Sequence, residues 1–124
     1  MMNKPSRTGV THVLDAYSYS LKGLRAAWRH EVAFRQETAL AAVLIPLALW
    51  LGTSASERAI LIASVVMVIV VELLNSAIEA IVDRISTELH PLSGQAKDLG
   101  SAAVMLSMLL CLGCWAIIAA QRFL

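Results

Sequence analysis

Charge is scarce in this chain and aromatic side chains are scarcer. Of its 124 residues only 15% are Asp, Glu, Lys or Arg and 6% are aromatic, against 58% hydrophobic. A soluble domain of this length keeps much of its surface in water and cannot bury so much apolar material. A soluble fold is therefore excluded, and a single-domain polytopic membrane protein is indicated. The net charge is +1 with no basic patch interleaved with aromatics, so there is no sign of a nucleic-acid partner. Cysteine is limited to Cys111 and Cys114. Their C-x-x-C lies in an apolar run without other ligands, which makes them small packing residues rather than a zinc or redox centre. No G-x-x-x-x-G-K-[ST] loop and no protein-kinase motif set is present. The first residues are not expected to act as a secretory signal, because Lys4 and Arg7 lead into a mixed polar stretch.

What is present is organised in helical periods. Residues 1–9 are polar and expected to be loosely ordered. From about residue 10 to 30, Val13, Leu14, Tyr17, Leu21, Leu24 and Trp28 share one face, with Asp15, Ser18, Lys22, Arg25 and Arg29 opposite. This is the pattern of a basic amphipathic helix lying in a membrane interface. Three spans follow, at about 32–51, 57–83 and 98–121. The first must carry Arg35, Gln36 and Glu37 at headgroup level, where long side chains snorkel. Pro46 is expected to kink it and Trp50 to mark its far interface. Glu57 and Arg58 are expected to pair across the outer turn. The segment from Arg84 to Lys97 reads as a polar second loop. Lys4, Arg7, Lys22, Arg25, Arg29, Arg35, Arg84 and Lys97 fall on one side of the spans and only Arg58 and Arg122 on the other, which places the N-terminus and second loop in the cytoplasm.

The middle span holds the chemistry. After the apolar run from Ala59 to Val71 come Glu72, Asn75, Glu79 and Asp83, at steps of three, four and four. These four lie within roughly 80° of one another on a helix. Ionisable groups in an apolar segment are costly and usually face a bundle interior or aqueous cavity. Glu31 and Glu37 at the start of the first span, and Glu88, His90, Lys97 and Asp98 around the second loop, belong to the same cytoplasmic side. Carboxylates with few other donors suit Mg²⁺ held jointly with substrate phosphates, and Lys97 is a point charge for a polyphosphate. The residues alone leave three readings open: metal-assisted phosphoryl transfer, a small proton- or cation-coupled carrier, and a passive assembly subunit whose acids pair with Arg84 or Arg58.

Four segments carry a resemblance. KGLRAAW at Lys22 to Trp28, AFRQE at Ala33 to Glu37, ELLNSAIEAIVDR at Glu72 to Arg84, and AKDLGSAAV at Ala96 to Val104 resemble the prokaryotic diacylglycerol kinase family, in the same order and spacing from Tyr19 to Val104. The resemblance implies an all-α membrane homotrimer, each protomer having one surface helix and three transmembrane helices. It implies transfer of the ATP γ-phosphate to diacylglycerol, with Mg²⁺, at the bacterial inner membrane. It further implies that Glu72 is the general base supported by Asn75, and that Glu31 and Glu79 hold the metal. Tyr19, Glu88, His90, Lys97 and Asp98 would contact ATP. His12 would do so only if it replaces the arginine that well-known members carry there. Ser20, Arg25, Trp28, Arg35 and Glu37 would line the lipid path, with Trp50, Arg58, Glu72 and Ser101. A related branch phosphorylates undecaprenol with the same motifs; the full-length surface helix and AFRQE segment favour diacylglycerol.

Overall fold

The computed structural model describes residues 9–85 and 88–124; Lys4 and Arg7, used above for orientation, and the first eight residues generally lie outside it. The regular structure among the described residues is all helix: α1 Gly9–His30, α2 Val32–Leu51, α3 Ala55–Ile85 and α4 Pro91–Phe123. The last three are long and apolar enough to cross a membrane. α4 begins at Pro91 rather than near Asp98, so much of the segment read as loop is helix. Pro91 sits at a first-turn position where its missing N–H costs nothing, and His90 Nδ1 caps the helix by accepting from the Leu92 amide at 3.1 Å.

α3 packs most extensively on α4 and next on α2. Its inward seam is Leu61, Val65, Val68, Glu72, Asn75, Glu79 and Val82, all buried or half-buried. Steps alternating between four and three give a period near 3.5, which keeps one stripe against a neighbouring helix in left-handed packing. The facing stripe of α4 is Gly100, Val104, Ser107, Cys111, Cys114 and Ile118, which is rich in the small residues that let membrane helices approach closely. Cys111 accepts a 3.5 Å contact from Ser64, in keeping with a packing role. The Ser64 and Ser107 hydroxyls donate to Leu61 and Val104 carbonyls on their own helices, so neither is left bare in the apolar layer.

One end of the bundle is fastened by arginines. Arg122 donates to the Trp50 and Leu51 carbonyls at 2.9 and 3.1 Å and lies 4.7 Å from the Trp50 ring centre. Arg58 donates to the Leu49 carbonyl at 3.0 Å. Both thus cap α2, whose last carbonyls have no partner of their own. Below them Ala48, Leu51, Leu61 and Ile118 form a buried cluster. The expected Glu57–Arg58 pair is replaced by these caps: Glu57 accepts from the Thr53 amide and hydroxyl, while the Ser54 hydroxyl accepts from the Glu57 amide. Such an S-x-x-E arrangement is a helix start signal. At the joint between α1 and α2, Arg35 donates to the Trp28 carbonyl at 2.7 Å and more weakly to that of Arg29, fixing how α1 leaves the bundle.

Counting about 20 residues, or roughly 30 Å, back from the arginine-fastened end reaches Val32 on α2, Asn75 on α3 and the Ala102 region of α4. That distance is the thickness of a bilayer's hydrocarbon core. The polar seam therefore starts where the apolar layer stops. α3 and α4 extend a further three turns or so beyond it.

Replacing Arg122 with Ala is expected to lower stability by about 1–3 kcal/mol, the range for losing hydrogen bonds from a charged donor. Thermal unfolding in detergent measures it. An unchanged midpoint would show that the fastening contributes nothing.

Candidate functional site

Glu72 is the least exposed charged group among the described residues: it is 6% exposed, on the α3 seam just inside the level where the apolar layer ends. One turn further along, Asn75 donates from Nδ2 to Glu79 Oε1 at 3.2 Å, so the amide steadies one oxygen of that carboxylate and leaves the other available. Glu31 is the extended residue between α1 and α2, in the N-cap position, yet its side chain accepts no cap hydrogen bond. Its carboxylate is left for other work. It lines a groove of about 710 Å³ between α1 and α3, together with Ser20, Gly23, Ser76 and Ala77. Glu79 and Glu31 both act electrostatically on Glu72, which in turn acts on Glu37. Carboxylates from α2, α3 and the α1–α2 joint thus lie close enough to influence one another.

Such crowding of like charge calls for a cation. Among the described residues no three His, Cys, Asp or Glu side chains make a ready cage. The donor set instead fits an ion that takes one or two protein carboxylates and completes its shell with phosphate oxygens and water, as Mg²⁺ does. Glu31 and Glu79 are carboxylates of that kind, on the α1–α2 joint and on α3. Asn75 Oδ1 is buried and without a hydrogen-bond partner.

Nearer the ends of α3 and α4, a cleft of about 490 Å³ is lined by Asp83, Glu88, His90, Ser93, Gly94 and Lys97. Of the residues assigned above to ATP, Glu88, His90 and Lys97 are therefore brought together, while His12, Tyr19 and Asp98 do not line this cleft. His12 is exposed on the first turn of α1. Tyr19 is half-buried on the same helix, its ring 5.6 Å from the Lys22 ammonium. Asp98 is exposed on α4. Lys97 Nζ is 2.7 Å from Asp83 Oδ1, and Glu79 also acts on it. Asp83 is not on the seam: Val82 occupies the inward position, and Asp83 stands out at 65% side-chain exposure as the partner of Lys97.

The residues assigned to the lipid path divide as well. Glu37 lines an apolar cavity of about 250 Å³ between α2, α3 and α4, with Val65, Val68, Met108 and Cys111, and its Oε2 is buried without a hydrogen-bond partner. Ser20 lines the α1–α3 groove and donates to the Ala16 carbonyl. Arg25 and Trp28 are exposed on α1, and Ser101 is exposed on α4 beside Gly100. Arg35, Trp50 and Arg58 belong to the capping contacts described above, Trp50 and Arg58 being at the opposite end of the bundle from the carboxylates. The reading from sequence passed over Gly100. An ideal Cβ there would collide with Asn75 Oδ1 and lie 3.1 Å from its Cγ.

Comparison with known proteins follows the same residues. Positions 18–119 match the family model described as prokaryotic diacylglycerol kinase. The chain is 50% identical over 116 residues to diacylglycerol kinase of Escherichia coli (strain K12), covering 94% of this chain and 95% of that one. It is 52% identical over 112 residues to diacylglycerol kinase of Pseudomonas aeruginosa, covering 90% and 91%. To that of Haemophilus influenzae it is 52% identical over 101 residues, covering 82% and 86%.

His90→Ala is expected to fray the first turn of α4 at a cost of about 1 kcal/mol, whereas His90→Asn keeps the cap. Hydrogen exchange at the Leu92 to Gly94 amides reports it. Equal protection in both variants would refute the capping role.

Proposed function

The chain belongs to the prokaryotic diacylglycerol kinase family, and on that footing we propose that it transfers the ATP γ-phosphate to the hydroxyl of diacylglycerol, giving phosphatidic acid. The observation that carries this reading is the seam of α3, where Glu72 is buried at the edge of the apolar layer and Glu79 stands about 10 Å further out. That spacing suits a lipid hydroxyl at one carboxylate and nucleotide phosphates at the other. Relatives named as diacylglycerol kinases favour that acceptor over undecaprenol. A carrier would need polar groups continuing across the bilayer. Instead the seam beyond Glu72 is Val68, Val65 and Leu61, and Ser64 is already bonded within its own helix.

In the proposed reaction Glu72 accepts the proton of the lipid hydroxyl as its oxygen attacks the γ-phosphorus. The new O–P bond forms while the bond from phosphorus to the β–γ bridging oxygen breaks, and ADP leaves. Desolvation near hydrocarbon strengthens a carboxylate as a proton acceptor. Phosphoryl transfer asks the protein mainly to position groups and offset charge. Mg²⁺ held by Glu31 and Glu79 would supply charge neutralisation between the phosphates. Lys97 moves from Asp83 towards the phosphate chain, and His90, whose Nδ1 serves the helix cap, offers Nε2 to the nucleotide. Glu88, Asp98, Tyr19 and His12 complete the nucleotide side. Ser20, Arg25, Trp28 and Glu37 guide the lipid on the side of α1, with Ser101 on α4.

The same proposal places α1 on the membrane surface. Val13, Leu14, Tyr17, Leu21, Leu24 and Trp28 are all exposed on it, and the interface offers cover for them. The basic residues around α1 and the α3–α4 connection put this end of the bundle in the cytoplasm, where ATP is. The working form is a homotrimer in the bacterial inner membrane.

Purified protein in mixed micelles with Mg²⁺ and labelled ATP is expected to phosphorylate diacylglycerol in preference to undecaprenol or ceramide. Label transferred to none of them would overturn the proposal. Glu72→Gln should cut turnover by about 10²–10⁴-fold, the usual worth of a general base, with ATP binding retained. Normal turnover would remove that role. Glu79→Gln should raise the Mg²⁺ concentration for half-maximal rate, and an unaltered dependence would exclude it as a metal ligand.

A further inference from the structure

Asn75 lies on the α3 seam where it packs closely against α4. Its Nδ2 is committed to Glu79, and its Oδ1 is turned to α4 without a hydrogen-bond partner. Gly100 is what it meets there. The hydrogen standing where a Cβ would be points at Oδ1, because a Cβ built at that place would collide with that oxygen and come within 3.8 Å of the Asn75 Cβ. A polarised Cα–H facing a carbonyl oxygen is weakly attractive. The same hydrogen facing the –NH₂ would not be, and the reversed amide would also set its oxygen against the Glu79 carboxylate. Both neighbours therefore select one orientation of the amide. Any side chain at position 100 would evict Oδ1 and rotate the amide away from Glu79.

We propose that Gly100 is a positioning residue for the phosphoryl transfer: its bare Cα fixes the Asn75 amide, and through it the Glu79 carboxylate. The inference rests on the reading of Glu79 as a metal ligand. It predicts a cost in metal use rather than in folding alone, since removing the support of a ligand commonly lowers metal affinity or activity by about 10–100-fold. Gly100 carries no functional group, so its whole contribution is the space it leaves.

The test pairs Gly100→Ala with Asn75→Ser. In Gly100→Ala the Asn75 side-chain amide signal, followed by NMR in detergent, is expected to shift, and the Mg²⁺ concentration for half-maximal rate to rise about tenfold or more. In the Asn75→Ser background, where the new methyl has room, adding Gly100→Ala is expected to change that concentration less than twofold. An unmoved amide signal in folded Gly100→Ala, or an equal penalty in both backgrounds, would overturn the proposal. Should Gly100→Ala fail to fold, the exchange Asn75→Gly with Gly100→Ala decides instead: recovered folding supports the contact and continued loss overturns it. The amide signal is read without nucleotide or lipid. Its failure is thus distinguishable from failure of the kinase reading, which would appear as no phosphorylation by the unaltered chain.

Discussion

Everything in this molecule depends on a choice made along one stripe of α3. A helix buried between neighbours in a bilayer fills its seam with apolar side chains because nothing else is cheap there. α3 does so at Leu61, Val65 and Val68, then keeps the same seam and changes its chemistry to Glu72, Asn75 and Glu79. The packing geometry that would have buried leucines buries carboxylates instead. Their position along the helix matters as much as their position around it. With the far end fastened by Arg58 and Arg122, the change falls about one hydrocarbon thickness away, at the boundary where a water-borne phosphate donor and a lipid acceptor can meet.

The neighbouring helices serve that boundary in different ways. α4 brings small residues to the seam and, through Gly100, lets Asn75 lie against its backbone. It then runs on past the boundary, carrying Lys97 to Asp83 and ending in a cap at His90. α2 contributes Glu37 from inside the apolar layer. The single extended residue between α1 and α2 contributes Glu31, with Arg35 holding the joint. Carboxylates on α2, α3 and the α1–α2 joint therefore act on one another near this boundary, a setting that suits a cation arriving with a substrate.

Much of this could be read from the residues. The hydropathy runs located α2 and α3 closely, and the period of Glu72, Asn75 and Glu79 identified the inward face. Asp83 shows where the reading failed. A free helix of 3.6 residues per turn carries the stripe from Glu79 to Asp83, whereas a helix packed at period 3.5 carries it to Val82. A shift of one residue, from Asp83 to Val82, was enough to turn Asp83 outward to Lys97. The early start of α4 was written in His90–Pro91, a cap followed by a first-turn proline, but the polarity of the segment suggested a loop. The caps by Arg35, Arg58 and Arg122 had no local signature, since each joins a side chain to carbonyls of another helix, up to 72 positions away. Gly100 was invisible for a related reason: its importance lies in what Asn75 needs, and only the packed pair reveals it.

The claim on which the rest stands is that the polar seam of α3 faces α4 within one chain at the level of Asn75. Paired cysteines at Asn75 and Gly100, in a chain whose Cys111 and Cys114 are replaced by serine, measure this directly. A Cβ at Gly100 falls 3.8 Å from that of Asn75, the separation a disulfide requires. Mild oxidation is expected to close an intramolecular bridge in this variant and not in one pairing Leu74→Cys with Gly100→Cys. A bridge formed only in the Leu74 pair would mean that the carboxylates face away from α4, contradicting the account at its root.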